Sequence, residues 1–372
     1  QGSSAVKITG IRYSRHTIKF APAFRPSWDS RPRTSFTCDL VRVETDQGVT
    51  GIGAGYAAAG IQDYAELFVG RDPRDLERHF RIIDNISFHY GRFYPLDLAL
   101  WDLYGKLLEE PVWRLLGGGS GRVRCYASSG SLKTPEELAE IALRFQAEGF
   151  PAMKVRFQRA RWQDDIAALK GVRQAVGDDF QIMVDCNQGW RMQWDQAVPW
   201  TFKDALNVAR HLEDLGVYWM EEPLHRGDYA GMRALRQATS VRIAGGELTR
   251  ELHELRELVT TGCLDVLQPD AVCTGGITGL RKIATLAREH NVDFTPHTWG
   301  DGIGLVANAQ LAAGAHTKLL EFPYDPPEWL PAIRDFPFVQ PVLADREGFI
   351  DLGDAPGLGM VLDEEKLAKT RV

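Results

Sequence analysis

Seven short apolar segments carry charged or ligating side chains at or near their ends, where a purely structural strand would be apolar. Lys154 and Arg156 lie inside AMKVRF (152–157), and Asp185 and Asn187 end QIMVD (181–185). Glu221 and Glu222 end VYWME (217–221), Glu247 ends RIAGGE (242–247), and Asp270 follows LDVLQ (264–268). His297 ends VDFTPH (292–297), and Glu321 lies in KLLEF (318–322). From Lys154 onward the intervals are 31, 36, 26, 23, 27 and 24 residues. Each is about one strand–helix unit of an eight-fold barrel. A buried unpaired carboxylate is costly, so acids at successive strand ends are hard to assign to structure alone.

Asp185, Glu221 and Glu247 fall on consecutive strands. Three hard oxygen ligands with no His or Cys cluster nearby favour Mg2+, which keeps positions open for water or substrate. The alternative is a set of salt bridges to Lys or Arg, against which no basic residue flanks these acids on their own strands. Glu222 adjoins Glu221, but strand alternation points only one of them inward, and Glu221 is the expected ligand. Lys154 and Arg156 are two apart and so share a face, which with Mg2+ would make a cationic pocket. Asp270 and His297 end adjacent strands. A carboxylate bonded to one imidazole nitrogen fixes the tautomer and raises the basicity of the other. A lone His would read as a satisfied core residue; His297, beside an acid at a strand end, reads as catalytic. His79, His89, His211, His253, His290 and His316 fall in predicted helices or at their edges and read as structural.

The elements that must position these groups alternate strand and helix from VRCYAS (123–128) onward. The first helix there has Thr134 as N-cap, Pro135 at its first position, Glu137 closing a capping box and Gly149 just past its end. Leu138, Ile141, Ala142 and Phe145 form one buried stripe, as do Leu280, Ile283, Ala284 and Ala287. Eight strands over about 200 residues fit a (β/α)8-type TIM barrel of the α/β class. A doubly wound open sheet has the same local pattern, but it would leave the outer strand ends far apart. Before the barrel, residues 5–45 read as strands around an irregular loop. Residues 12–33 hold Arg12, Arg15, Lys19, Arg25, Arg31 and Arg33 against Asp29 alone, a local excess of +5. This segment is either a solvated loop or a mobile flap that attracts an anion. Residues 49–62 are uncharged and rich in Gly and Ala, suggesting a second close-approach loop. Residues 63–116 read mostly as helices, with an amphipathic one at 96–108.

The bulk numbers set limits. At 372 residues the chain can bury a large core without disulfide or metal staples. Forty-three basic against 50 acidic residues give a net charge of −7, which argues against a nucleic-acid or anionic-membrane partner. Five scattered cysteines with no CxxC pair fit buried thiols in a reducing cytoplasm. No apolar run of eighteen residues predicts a membrane span. Gln1-Gly2-Ser3-Ser4 has no hydrophobic signal core and reads as a tag remnant.

MKVRF (153–157), MVDCNQGW (183–190), WMEEP (219–223), IAGGE (243–247), LQPDAVCTGGITG (267–279), TPHTWGDG (295–302) and LLEF (319–322) resemble, in order, the motifs of the mandelate racemase subgroup of the enolase superfamily. LDLALWDLYGKLLEEPVWRLLGGG (96–119) is similar to that family's linker into the barrel, and PGLGMVLDEEKL (356–367) to its tail. The resemblance implies an α+β N-terminal capping domain (1–121), a barrel carrying the active site (122–330), and a C-terminal segment (331–372) returning to the cap. It implies Mg2+ on Asp185, Glu221 and Glu247, an Asp270–His297 acid/base dyad, and Glu321 polarising the substrate carboxylate. Loops at about 15–34 and 52–62 would close the site and choose the substrate. Such enzymes use a Lys or His base with Mg2+ to stabilise an ene-diolate.

The departure is Arg156, where family racemases and many dehydratases carry the second Lys of a Lys-x-Lys pair. Arginine stays protonated and is a poor base, which favours one-base chemistry at His297 over two-base racemisation. The expected reaction is dehydration of an aldonic or aldaric acid to a 2-keto-3-deoxy acid. Asn187, Trp28 and the basic residues Arg25, Arg31 and Arg33 would contact the rest of the substrate. A homo-oligomer is expected. The alternatives are a racemase or epimerase, or a sugar-lactone cycloisomerase, using the same enediolate. Weaker rivals are a phosphate-binding barrel, on Gly245-Gly246, Gly275-Gly276 and the run at 300–304, and a non-catalytic anion-binding protein. A nucleotide-binding Rossmann fold fails for lack of a Gly-rich turn after the first strand.

Overall fold

The computed structural model describes residues 5–372; the tag-like Gln1–Ser4 lies outside the described residues. The chain opens with β1 (Ile8–Phe24), β2 (Arg33–Thr45) and β3 (Thr50–Gly55), an antiparallel sheet in that order. α1 (Leu76–His89), α2 (Tyr94–Leu108) and α3 (Val112–Leu115) follow. The expected irregular loop is mostly a two-stranded ribbon, in which Arg12 faces Arg42, Arg15 faces Asp39 and Lys19 faces Ser35. Arg12 and Arg15 are strand residues that pair with Glu44 and Asp39. Only the turn joining β1 to β2 leaves the ribbon, and the Ser27 N–H pins it to the Gly130 carbonyl at 2.8 Å.

The Gly-rich stretch is likewise a strand in its first half. A Cβ on Gly51 would lie 2.1 Å from the Ala99 carbonyl oxygen, and one on Gly53 would lie 2.0 Å from that of Pro95. The missing side chains let β3 rest directly on the backbone of α2, so close approach holds but the element is a strand rather than a loop. That packing also corrects the amphipathic reading of residues 96–108. Every residue of α2 from Tyr94 to Leu103 is buried, because the helix is covered on all sides.

The second body alternates β4 (Arg122–Ser128), α4 (Pro135–Glu148), β5 (Ala152–Arg156), α5 (Trp162–Val176), β6 (Gln181–Asp185), α6 (Phe202–Asp214), β7 (Trp219–Glu221), α7 (Tyr229–Ala238), β8 (Arg242–Gly245), α8 (Leu252–Thr260), β9 (Val266–Leu267), α9 (Gly276–Glu289), β10 (Asp293–Phe294), α10 (Gly302–Gly314) and β11 (Leu320–Pro323). Its parallel strands run β10-β9-β8-β7-β6-β5-β4-β11. The two outer strands share no backbone ladder. Side chains stitch them instead: Thr317 Oγ1 donates to the Phe294 carbonyl at 2.8 Å, and Thr298 Oγ1 donates to that of Glu321 at 2.7 Å. The curled sheet thereby brings its C-terminal strand ends to one mouth.

Several strands are shorter than their apolar segments. Pro223, Pro269 and Pro296 lie just past β7, β9 and β10 and have no N–H to extend the ladder. The capping box of Thr134 and Glu137 forms, and Gly149 takes the left-handed cap.

The chain ends with α11 (Pro331–Arg334), β12 (Phe349–Asp351) and α12 (Glu364–Thr370). β12 pairs antiparallel with β4, while α12 lies against the first sheet through His16, whose Nδ1 meets the Leu367 carbonyl at 2.8 Å. All five cysteines are buried and unpaired. No helix among the described residues is long and apolar enough to cross a membrane.

Candidate active site

The mouth gathers the acids that the strand ends carry. Oxygen atoms of Asp185, Glu221 and Glu247 lie within 4.8 Å of one another, and all three side chains are buried. Neighbouring strands β6 and β7 supply Asp185 and Glu221 side by side, Glu221 lies beside Ala244 of β8, and Glu247 follows two residues past the end of β8. Glu321 enters from β11. Its Oε2 accepts from Ser128 Oγ at 2.7 Å and its Oε1 from the Thr298 N–H at 2.8 Å.

The cations are not free, as their strand alone would suggest. Lys154 Nζ sits 2.9 Å from both oxygens of Glu221 and 2.8 Å from Glu321 Oε2. Arg156 donates to Asp185 through Nη1, and through Nε to the Ser129 carbonyl at 2.7 Å. Salt bridges to the acids therefore do form, from the neighbouring strand β5 rather than from the acids' own strands. Two aromatic rings pack against one side of the guanidinium, its carbon 4.8 Å from the centre of the Trp28 ring and 5.3 Å from that of Trp299, with the two rings edge to face 5.2 Å apart.

The charge balance tests whether a cation fits. Four carboxyl groups, Asp185, Glu221, Glu247 and Glu321, face two fixed cations, so with all four ionised two negative charges would be left over in a dry site. Burial, reinforced by Asp185 and Glu247 against the opposing pull of Lys154, pushes the Glu221 carboxyl up to about 8. Burial likewise raises Asp185 despite Arg156 and Lys154. Burial opposes the charge of Glu321, yet Lys154, His297 and Arg156 together hold it well below the usual range. An all-oxygen donor set whose carboxyl groups outnumber the fixed cations, and whose ionisation burial resists, suits a hard divalent ion.

His297 and Asp270 meet as expected, Nδ1 to Oδ2 at 2.8 Å. The other ring nitrogen faces the acids, 3.8 Å from Glu247 Oε2 and 4.0 Å from Glu321 Oε1. Burial alone would lower the imidazole, but Glu247, Glu321 and Asp270 raise it to about 10. Neutralising those acids would return it toward the range of a working base.

The predicted substrate contacts divide. Asn187 is buried at the mouth with φ 51°; its N–H donates to Asp185 Oδ1 at 2.8 Å and its Oδ1 accepts from Ser27 Oγ at 3.1 Å. Trp28 is also in the site, stacked on Arg156. Arg25 is exposed and forms no ion pair among the described residues. The Arg31 guanidinium lies over Trp194 at 4.2 Å, and Arg33 pairs with the buried Asp29 at 3.2 Å. No hydrogen bond among the described residues joins these three arginines to the acid cluster.

Sequence reasoning missed several supports. Trp190 Nε1 donates to Glu247 Oε1 at 2.8 Å, and Gln268 Nε2 donates to Glu221 Oε2 at 3.0 Å. Gln268 stands two residues before Asp270 and so shares its face, a usable signal. Glu222 is not turned to solvent as alternation suggested. Its φ of 46° breaks the strand pattern and buries the carboxyl behind Glu247 and against Gly189, where burial and Glu247 raise it well above the usual range. Of the histidines read as structural, His79 bonds the Asp72 carbonyl and His290 that of Leu286.

Two family models cover most of the chain: Enolase C-terminal domain-like over residues 137–366, and the N-terminal domain of mandelate racemase / muconate lactonizing enzyme over 21–117. The chain belongs to this family, the mandelate racemase subgroup of the enolase superfamily, and is an enzyme. It is 30% identical over 362 residues to a D-galactarolactone cycloisomerase of Agrobacterium fabrum, covering 90% of this chain and 91% of that one. It is 28% identical to an L-talarate/galactarate dehydratase of Salmonella typhimurium, covering 95% and 89%. A racemase from Streptomyces coelicolor solved with bound magnesium superposes with a TM-score of 0.82 at 26% identity, covering 98% of this chain and all of that one.

Proposed function

We propose that this enzyme is a Mg2+-dependent dehydratase of aldonic or aldaric acids. It would remove the proton alpha to a carboxylate and expel the beta hydroxyl as water, giving a 2-keto-3-deoxy acid. The observation that carries this reading is the one-sided placement of bases. His297 Nε2 faces the acid cluster, while position 156 holds an arginine that donates to Asp185 and to the Ser129 carbonyl and packs against Trp28 and Trp299.

Asp185, Glu221 and Glu247 would hold the ion, with Trp190 and Gln268 orienting two of them. When bound, the ion supplies fixed positive charge for the substrate carboxylate and for the dianion it becomes. The chain's own residues do the rest. Asp270 keeps a proton on His297 Nδ1, so Nε2 is the nitrogen that accepts the alpha proton. Lys154 places its charge beside Glu321, where the developing enediolate needs it. The imidazolium then returns its proton to the departing hydroxyl, and the enol ketonises. Arg156, protonated throughout, can hold an anion but cannot take a second proton, which disfavours racemisation. Relatives named as dehydratases and as cycloisomerases share this proton abstraction, so lactone cycloisomerisation is the second reading.

An acid-sugar library assayed with Mg2+ tests the proposal: dehydration turns an open-chain hydroxy acid into a 2-keto acid that reacts with semicarbazide, cycloisomerisation gives such a product only from a lactone or anhydro sugar, and epimerisation gives none. The variant His297→Asn is expected to lose both dehydration and alpha-proton exchange in heavy water. If both continue at close to the wild-type rate, the base assignment is wrong.

A further inference from the structure

We infer that Asn308 is a positioning residue that fixes the proton inventory of the Asp270–His297 dyad, an inference that rests on the proton-transfer reading above. Asn308 sits on α10, wholly buried. Its Oδ1 accepts the Ala271 N–H at 3.0 Å, and its Nδ2 donates to the Gly304 carbonyl at 3.0 Å and to Asp270 Oδ1 at 2.8 Å.

Two backbone groups therefore decide which way the amide faces. The Ala271 N–H requires an acceptor on one side, and the Gly304 carbonyl requires a donor on the other. Reversing the amide would set donor against donor and acceptor against acceptor. An N–H is thus presented to Asp270 whatever Asp270 does. Asp270 Oδ1 also accepts the Val272 N–H at 2.9 Å, so that oxygen receives two donors and has no room for a proton of its own. Only Oδ2 is left, and it faces His297 Nδ1 at 2.8 Å. The carboxylate must accept there, the ring must donate from Nδ1, and Nε2 is left bare toward the cation site. Asn308 touches neither substrate nor ion; it acts through Asp270. Outer partners of this kind typically change activity by about 10- to 100-fold when removed.

The test exploits the shape of the amide. Asn308→Asp keeps size and outline but turns an acceptor toward both the Gly304 carbonyl and Asp270. Asn308→Ala merely deletes the donor. The structure predicts that kcat falls about 10- to 100-fold in Asn308→Ala and further in Asn308→Asp. KM and the Mg2+ affinity measured by calorimetry should stay within about two- to three-fold, below the range such contacts produce when lost.

A residue that only fills space gives the opposite order, with the isosteric Asp mild and Ala severe, and that order overturns the inference. So does wild-type kcat in either variant, or a kcat loss matched by an equal loss of metal affinity. If Asn308→Asp does not fold, as read by circular dichroism, Asn308→Ala alone decides. A second readout needs no turnover: the ring-nitrogen NMR signals of His297 in the Mg2+-loaded protein, assigned by their loss in His297→Asn. The wild type should show one tautomer protonated at Nδ1, and Asn308→Ala a shifted or mixed signal. If no acid sugar turns over but the tautomer responds in this way, the dehydratase reading fails and the positioning role stands. If turnover is robust and the tautomer is unmoved, the reverse holds.

Discussion

The excess of buried carboxyl groups over fixed cations at the mouth should be visible in the stability of the metal-free protein. Glu221 ionises at about 8 in the folded chain against 4.5 for the free carboxyl. Between those values the folded state holds a proton that the unfolded chain has released. Stability is therefore fully present below pH 4.5 and is lost as pH rises through 8. At about 1.4 kcal/mol per pH unit, the loss is on the order of a few kcal/mol. A divalent ion on the three acids removes that cost. At 100 times its dissociation constant it adds about 2.7 kcal/mol by mass action. With a melting entropy of about 2.1 cal/mol/K per residue, 372 residues convert this to a rise of roughly 3–4 °C. Glu221→Gln separates the two effects. Lys154 keeps its partner in Glu321 at 2.8 Å, so the metal-free variant should be at least as stable as wild type at pH 8. It should also lose most of the Mg2+ response. Scanning calorimetry at pH 6 and pH 8, in chelator and then in Mg2+, reads both. A wild type whose melting temperature is indifferent to Mg2+, or a Glu221→Gln variant with an undiminished response, would refute the charge argument.

Arg156→Lys replaces a stacked, forked donor by a point charge. The Ser129 contact and the packing against Trp28 and Trp299 are lost, and dehydration should fall at least about 10-fold. If position 156 is a displaced base, the variant should gain alpha-proton exchange with the opposite stereochemistry, measured by NMR in heavy water; unchanged dehydration would show that the guanidinium's fork and aromatic packing are not needed. Gly53→Ala drives a methyl group to 2.0 Å from the Pro95 carbonyl oxygen, so β3 must lift from α2. Overpacking of this kind costs about 1–3 kcal/mol, a fall of roughly 1–4 °C for a chain of 372 residues in a thermal melt; an unshifted melt would mean the sheet and helix are not in contact there.

What could be read from the residues was set by how locally each feature is determined. The barrel and its acids were legible because parallel strands buried on both faces leave polar residues only where something uses them, and because each strand–helix unit has a nearly constant length. The exact strand ends were not, since an apolar run such as VDFTPH continues past the point where Pro296 stops the ladder. The β1–β2 ribbon was hidden by the basic residues between Arg12 and Arg33. The charges of Arg12, Arg15 and Arg33 are answered by Glu44, Asp39 and Asp29, which the ribbon and its turn bring beside them. The same limit applied inside the site. Counting bases along β6, β7 and β8 gave no hint that Lys154 and Arg156, one strand away, would meet Glu221 and Asp185. Glu222 defeated the alternation rule because its φ of 46° takes it out of the strand. Side chains whose function is a partner's orientation were the least legible of all. Asn308 looks like any polar residue in an apolar helix until the Ala271 N–H and the Gly304 carbonyl are seen to fix its amide, and through it the single nitrogen left free to take a proton.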